Sequence, residues 1–363
     1  MKNPKRARKF LFISLLVLIS VLVLLQAGNV VWNTTHPSRT CASCHEIRDS
    51  YEQWNISAHR ELDCKTCHGT ALSNGMHSLK EKASMLNRHF KGSPVTDIRL
   101  DEKQVEKMVI LCAECHQNEF AKWTTGGHSM RFADVFLNKE QNRREPANEN
   151  CLRCHGMFYE GSVTSLVSPL DTTGPWKIIS PQHKSRYAIP CLACHSIHTP
   201  GQKSTLPDYA NPAQKAYKQP LPYPKAGFYD PYEKTFFRAD KLPTIQAWQK
   251  DRKILISEDP LARICSQCHA PDASHQAGTS DDKTTMGVHE GLSCMSCHQP
   301  HTNDAMGSCR NCHPAFSNCG LDVEKMNTTF ADSLSAFDIH TVSCTDCHPG
   351  YVQKLNKPEQ ILK

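Results

Sequence analysis

The chain is poor in the material of a side-chain core. Aromatic residues make up 7% of its 363 residues, its mean hydropathy is −0.51, and no long apolar run follows residue 32. A chain of this length ordinarily forms two or three domains, and this composition excludes large cores built from side chains alone. Basic runs are absent beyond the first nine positions, where Lys2, Lys5, Arg6, Arg8 and Lys9 contribute much of the net charge of +6. That absence excludes a nucleic-acid-binding face. With 22 prolines, long regular elements are excluded from much of the chain, because proline removes a backbone donor and fixes φ.

What is present is cysteine followed by histidine. Eighteen of the 19 cysteines fall in nine copies of Cys-x-x-Cys-His. In chain order, motifs one to five are Cys41, Cys44 and His45; Cys64, Cys67 and His68; Cys112, Cys115 and His116; Cys151, Cys154 and His155; and Cys191, Cys194 and His195. Motifs six to nine are Cys265, Cys268 and His269; Cys294, Cys297 and His298; Cys309, Cys312 and His313; and Cys344, Cys347 and His348. Two cysteines three apart lie on one side of a single helical turn, so both sulfurs reach the two vinyl groups on one edge of a porphyrin. The adjacent histidine then offers the proximal ligand to the iron. Zinc ribbons and reducible disulfides also use Cys-x-x-Cys pairs, but neither needs a histidine after every second cysteine. The expected cofactors are therefore nine haem c groups. Porphyrins are broad apolar plates, and they supply the core that the side chains lack. The expected fold is mainly α with extensive loops and little sheet, organised around nine covalently bound haems, and the apoprotein is not expected to fold. Haem propionates make the loaded protein more acidic than its net charge suggests.

Residues 10–32 are apolar apart from Ser14, Ser20 and a short break at Gln26 to Asn29. The run exceeds the apolar region of a cleaved signal peptide and suffices to cross a bilayer at roughly 20 residues per span. The basic cluster before it places the N-terminus in the cytoplasm. The expected location is the bacterial inner membrane, single-pass, with the haem domain in the periplasm; a fully soluble periplasmic protein is the alternative. The chain divides into a cytoplasmic basic segment (1–9), a transmembrane signal anchor (10–32), a pentahaem region (33–198), a Pro-rich linker or wrapping segment (199–263) and a tetrahaem region (264–363). Apolar spacing predicts helices between Ile47 and Ala58, from Ser73 to Phe90, from Gln104 to Trp123 through motif three, from Met130 to Arg144, and a short one from Thr244 to Arg252.

Twenty histidines minus nine proximal ones leave eleven. The candidate distal ligands are His59, His128, His183, His198, His289, His301 and His340, with His77, His89 and His275 behind them and His36 last. His59, His289 and His340 precede a motif by four or five residues, and His198 and His301 follow a proximal histidine by three. Such placement suits ligation of a neighbouring haem. For any one of them the alternative is an ordinary surface or core histidine. Iron with two histidines is saturated, which suits electron transfer rather than substrate binding. Cys319 is left over and reads as a free thiol.

The stretch from Cys41 through Glu46, Ile47, Tyr51, Trp54 and His59 to Cys64 and His68 resembles the start of the NapC/NirT-type membrane-anchored cytochromes. The resemblance implies electron uptake from menaquinol or ubiquinol, or from a quinol-oxidising membrane protein, and delivery to periplasmic or outer-membrane redox proteins in anaerobic-type respiration. Members often carry methionine two residues after the first proximal histidine, where this chain has Ile47. The expected role is thus an electron carrier, with no catalytic side chain assigned. Two alternatives stand beside it: a cytochrome subunit of a larger membrane redox complex that holds the quinol site, and a multihaem reductase of nitrite, hydroxylamine or a sulfur oxyanion with one open haem. No Cys-x-x-Cys-Lys variant, the mark of one nitrite-reductase class, occurs.

Overall fold

A computed structural model describes residues 4–69, 79–92, 100–139, 142, 146–198, 226–269, 283–302, 305–313, 320–328 and 337–348. Helices α1 (Pro4–Thr34), α2 (Pro37–Thr40), α3 (His45–Asn55), α4 (Cys64–His68) and α5 (Leu79–Phe90) come first. They are followed by α6 (Glu102–Cys115), α7 (Gln117–Trp123), α8 (Phe132–Phe136), α9 (Cys151–His155) and α10 (Val163–Leu166), and later by α11 (Pro260–His269) and α12 (Cys344–Cys347). Sheet is confined, among the described residues, to two-stranded antiparallel pairs: β1 (Val167–Ser168) with β2 (Lys177–Ile178), β3 (Gly227–Asp230) with β4 (Thr235–Arg238), and β5 (Trp248–Gln249) with β6 (Arg252–Lys253). Helix and loop dominate, as composition implies.

The chain forms two compact units, one of residues 1–100 with 197–200 and one of residues 101–196 with 201–363. In the first, α1 is long and apolar enough to cross a membrane: Arg8–Thr34 has a mean hydropathy of 2.8 over its most apolar window, none of it buried. Its carboxyl end has a specific partner. The Lys65 ammonium donates to the carbonyls of Asn33 (2.8 Å) and Thr35 (3.4 Å), which satisfies a terminal carbonyl and complements the helix dipole. Motif two is thereby fastened to the end of the apolar helix.

In the second unit, α6 starts at a reciprocal cap. Asp101 accepts from the Gln104 N–H at 2.8 Å, and the Gln104 side chain accepts from the Asp101 N–H at 2.9 Å, an arrangement that meets two orphan donors at once. Val105, Met108 and Val109 on one face of α6 are buried, as a period near 3.6 requires. Phe132, Phe136, Leu152, Leu166, Trp176 and Ile178 belong to one buried cluster, and Met157, Ala193, Phe228 and Leu242 form another beside motif five.

Local expectations needed correcting in several places. The helix expected from Gln104 to Trp123 is interrupted at His116 (φ −98°, ψ 49°), which separates α6 from α7. Between Met130 and Arg144 the described helix is only Phe132–Phe136, because the buried Asn142 amide donates to the Phe136 carbonyl at 2.7 Å and closes the helix end. From Thr244 to Arg252 the helix gives way to the β5–β6 turn, where Lys250 has φ 55°, outside the right-handed helical region. The α3 helix ends at Asn55 rather than near His59. Of the helix expected from Ser73 to Phe90, the part before Leu79 lies outside the described residues, as do residues 199–225 of the Pro-rich segment and Cys319.

Candidate haem sites

Each motif begins as a tight turn. The Cys44 N–H donates to the Cys41 carbonyl at 3.2 Å, and the same bond joins Cys194 to Cys191 (3.3 Å), Cys297 to Cys294 (3.2 Å) and Cys312 to Cys309 (3.2 Å). The following histidine N–H reaches back to the first cysteine: His195 to Cys191 at 3.0 Å, His298 to Cys294 at 2.8 Å, His313 to Cys309 at 2.7 Å. In α4, α6, α9, α11 and α12 the pairs lie on α-helical turns; in motifs five, seven and eight the turn is 3₁₀. Either geometry sets both sulfurs on one side of the turn.

The decisive geometry is in the histidine rings. Two imidazoles that ligate one metal from opposite sides, each at about 2 Å through a ring nitrogen, have centroids roughly 6 Å apart. Six proximal histidines have another histidine at that distance: His45 with His89 (5.7 Å), His68 with His198 (6.2 Å), His269 with His128 (6.1 Å), His195 with His301 (5.8 Å), His313 with His289 (6.3 Å) and His298 with His340 (6.1 Å). Each pair joins a motif histidine to one of the candidate distal residues. Their outer nitrogens are engaged as ligands require. His289 Nδ1 meets the Ile339 carbonyl at 3.0 Å, His128 Nδ1 the Pro300 carbonyl at 3.4 Å and His340 Nδ1 the Asp338 carboxylate at 3.2 Å. Burial depresses the pKa of His198, His289, His298 and His301, so these imidazoles are held neutral, the form that binds a metal.

The cysteines fit attachment to a porphyrin better than binding of an ion by thiolates. Burial pushes the Cys64 and Cys194 thiols up to about 11, the opposite of the depression that a thiolate ligand needs; Cys191 and Cys294 are lowered by their neighbours Cys112 and Cys265. Among the described residues no cluster of His, Cys, Asp and Glu has the arrangement to hold a metal ion by itself. The residues present therefore fit haem c: paired sulfurs on a turn, with opposed imidazoles for the iron.

His183 is placed differently. Its ring stacks on Phe132 (6.4 Å) and meets the edge of Tyr159 (5.1 Å), while Nδ1 lies 3.2 Å from Arg186 and 3.7 Å from Glu102. Arg186 and Glu102 are themselves closely ion-paired. His59 follows α3 with its N–H on the Ser57 hydroxyl at 3.1 Å. His36 Nδ1 contacts the Ser38 hydroxyl at 2.9 Å on the surface. His77 and His275 lie outside the described residues.

Two functional groups escaped sequence reasoning. Glu46 Oε1 lies 2.7 Å from His89 Nδ1 and 3.4 Å from His45 Nε2, so a carboxylate lies beside both rings of motif one. The hydrogen bond from His89 holds the Glu46 carboxyl below its ordinary value. Its only signal in the sequence is its place directly after His45. Asp259 is buried, accepts from the Leu261 N–H at 3.0 Å at the start of α11, and also accepts from the Ser293 hydroxyl just before motif seven. The aspartate directly before Pro260 was the available clue, since such a pair commonly opens a helix.

The family model described as cytochrome c554 and c-prime matches residues 111–196 and 231–299. The match takes in motifs three to seven, covers less than half of the chain, and indicates a c-type cytochrome. No curated protein and no solved structure matches the chain. A haem protein of electron transfer is the coarse assignment that the match supports.

Proposed function

We propose that the chain is a membrane-anchored relay of nine haem c groups that takes electrons from the quinol pool, or from a quinol-oxidising membrane protein, and hands them to periplasmic or outer-membrane redox proteins. The observation that carries this reading is the set of opposed histidine rings at 5.7–6.3 Å. Each such pair would hold one iron from both sides, an arrangement that suits electron transfer rather than substrate binding. When bound, haem supplies reversible one-electron storage. The chain's own residues do the rest. Paired cysteines would hold one porphyrin edge and opposed histidines the iron, with the Ile339 and Pro300 carbonyls and the Asp338 carboxylate on the outer nitrogens setting the tautomer.

The apolar α1 helix and its tie to Lys65 support membrane anchoring with the first two motifs near the periplasmic surface. The resemblance of residues 41–68 to the NapC/NirT-type cytochromes supports entry of electrons there. Anaerobic-type respiration is the setting that this reading implies. Haem content by pyridine haemochrome should give nine per chain, and menaquinol added to membrane-bound protein should reduce them all. A lower haem count, or no reduction by quinol or any membrane fraction, overturns the reading.

A further inference from the structure

We infer that motif seven, Cys294 to His298, is a junction of the electron path and not one link in a line; the inference rests on the function proposed above. The observations all lie within the second compact unit. On one side, His301, three residues after His298, faces His195 of motif five at 5.8 Å. The Cys294 sulfur lies close to that of Cys265, which opens motif six. The two segments are also pinned together by the buried Asp259, which accepts from Ser293.

On the other side, His289, five residues before Cys294, faces His313 of motif eight at 6.3 Å. Cys297 meets Ser308, the residue before Cys309. His340, four residues before Cys344 of motif nine, faces His298 itself at 6.1 Å. Backbone bonds hold that last contact in register, from the Met286 N–H to the His340 carbonyl (2.6 Å) and from the Val288 N–H to the Val342 carbonyl (3.0 Å).

One short stretch, residues 287–301, thus supplies a facing histidine to motifs five and eight and a sulfur contact to motif six, while its own His298 receives the ring of His340 from the segment that leads into motif nine. An interior link of a linear wire needs a neighbour before it and a neighbour after it. Motif seven has more, so electrons that arrive through motif five or six have two separate ways onward. Each hop oxidises one site and reduces the next by one electron, so no co-reactant is needed beyond the donor and acceptor already named.

Cryo-electron microscopy of the haem-loaded chain tests this directly. The porphyrin on Cys294 and Cys297 should touch those of motifs five, six, eight and nine, and three or four such neighbours support the junction. Two or fewer overturn it. A haem count below nine would instead count against the proposed function, which keeps the two failures apart. A redox titration followed by electron paramagnetic resonance gives a second readout. His340→Met changes a ligand facing motif seven and should shift the midpoints of at least three further irons. A shift confined to the substituted site overturns the junction. Should the variant not fold, the microscopy of the unaltered protein still decides.

Discussion

The two compact units hold their motifs by different means. In the unit of residues 1–100 with 197–200, Trp54 and Ser57 are the buried residues among those described. The unit of residues 101–196 with 201–363 has a side-chain core in which Phe136, Met108, Leu166 and Val167 are almost wholly enclosed. Yet both units present the same Cys-x-x-Cys-His turn and the same opposed rings. The difference shows that the turn and the histidine pair do not require a pre-existing protein core. Where side chains are scarce, the proposed porphyrins would have to supply the core, and the first unit would depend on them more completely.

The strongest test of that contrast is to withhold haem attachment. The apoprotein should lose hydrogen-exchange protection throughout residues 41–68, with any residual protection concentrated around Phe136 and Leu166. Equal protection in both units would erase the distinction. Next in size, Phe136→Ala removes an enclosed ring from the second unit and should cost about 3–5 kcal/mol in a denaturant melt, without altering the spectrum of the motif-one iron.

Asp259→Ala should cost less, about 1–3 kcal/mol, because it leaves the Leu261 N–H and the Ser293 hydroxyl without their acceptor. Combined with Ser293→Ala it should be less than additive in a double-mutant cycle, since the two share a bond. Smallest in stability is Glu46→Gln. It should leave the melt unchanged and raise the midpoint potential of the motif-one iron alone, because a negative charge beside the ring pair is removed. The Glu46 carboxyl lies below its ordinary value of 4.5. Its charge is therefore present at and above that value and is lost only as pH falls through the lowered one. The effect of the substitution should be constant from neutral to mildly acidic pH and fade below that.

The motifs were legible because their chemistry is local: a sulfur pair and an imidazole within five residues need no tertiary information. Histidines at fixed offsets from a motif, such as His289 and His301, could be named as candidates because chain connectivity keeps them beside a motif, and each faces the histidine of another. His89 and His128 have no such offset, and a helix or loop carries each to its facing ring. His183 stands eight residues before motif five, further than the four or five of His59, His289 and His340; Glu102 and Arg186 engage its Nδ1 side, and Phe132 and Tyr159 pack on its ring. Helix lengths were least legible where a distant residue ended them, as Asn142 does at Phe136.

The β-carbon that Gly287 lacks has a consequence for how this chain tolerates change. Gly287 has φ +63°, and a Cβ there would collide with the carbonyl of Val342. Any other residue must push residues 340–342 away, and His340 travels with them. A position that binds nothing therefore keys the alignment of His298 with its opposite ring. A substitution at 287 would thus disturb that alignment although the sequence kept every cysteine and histidine.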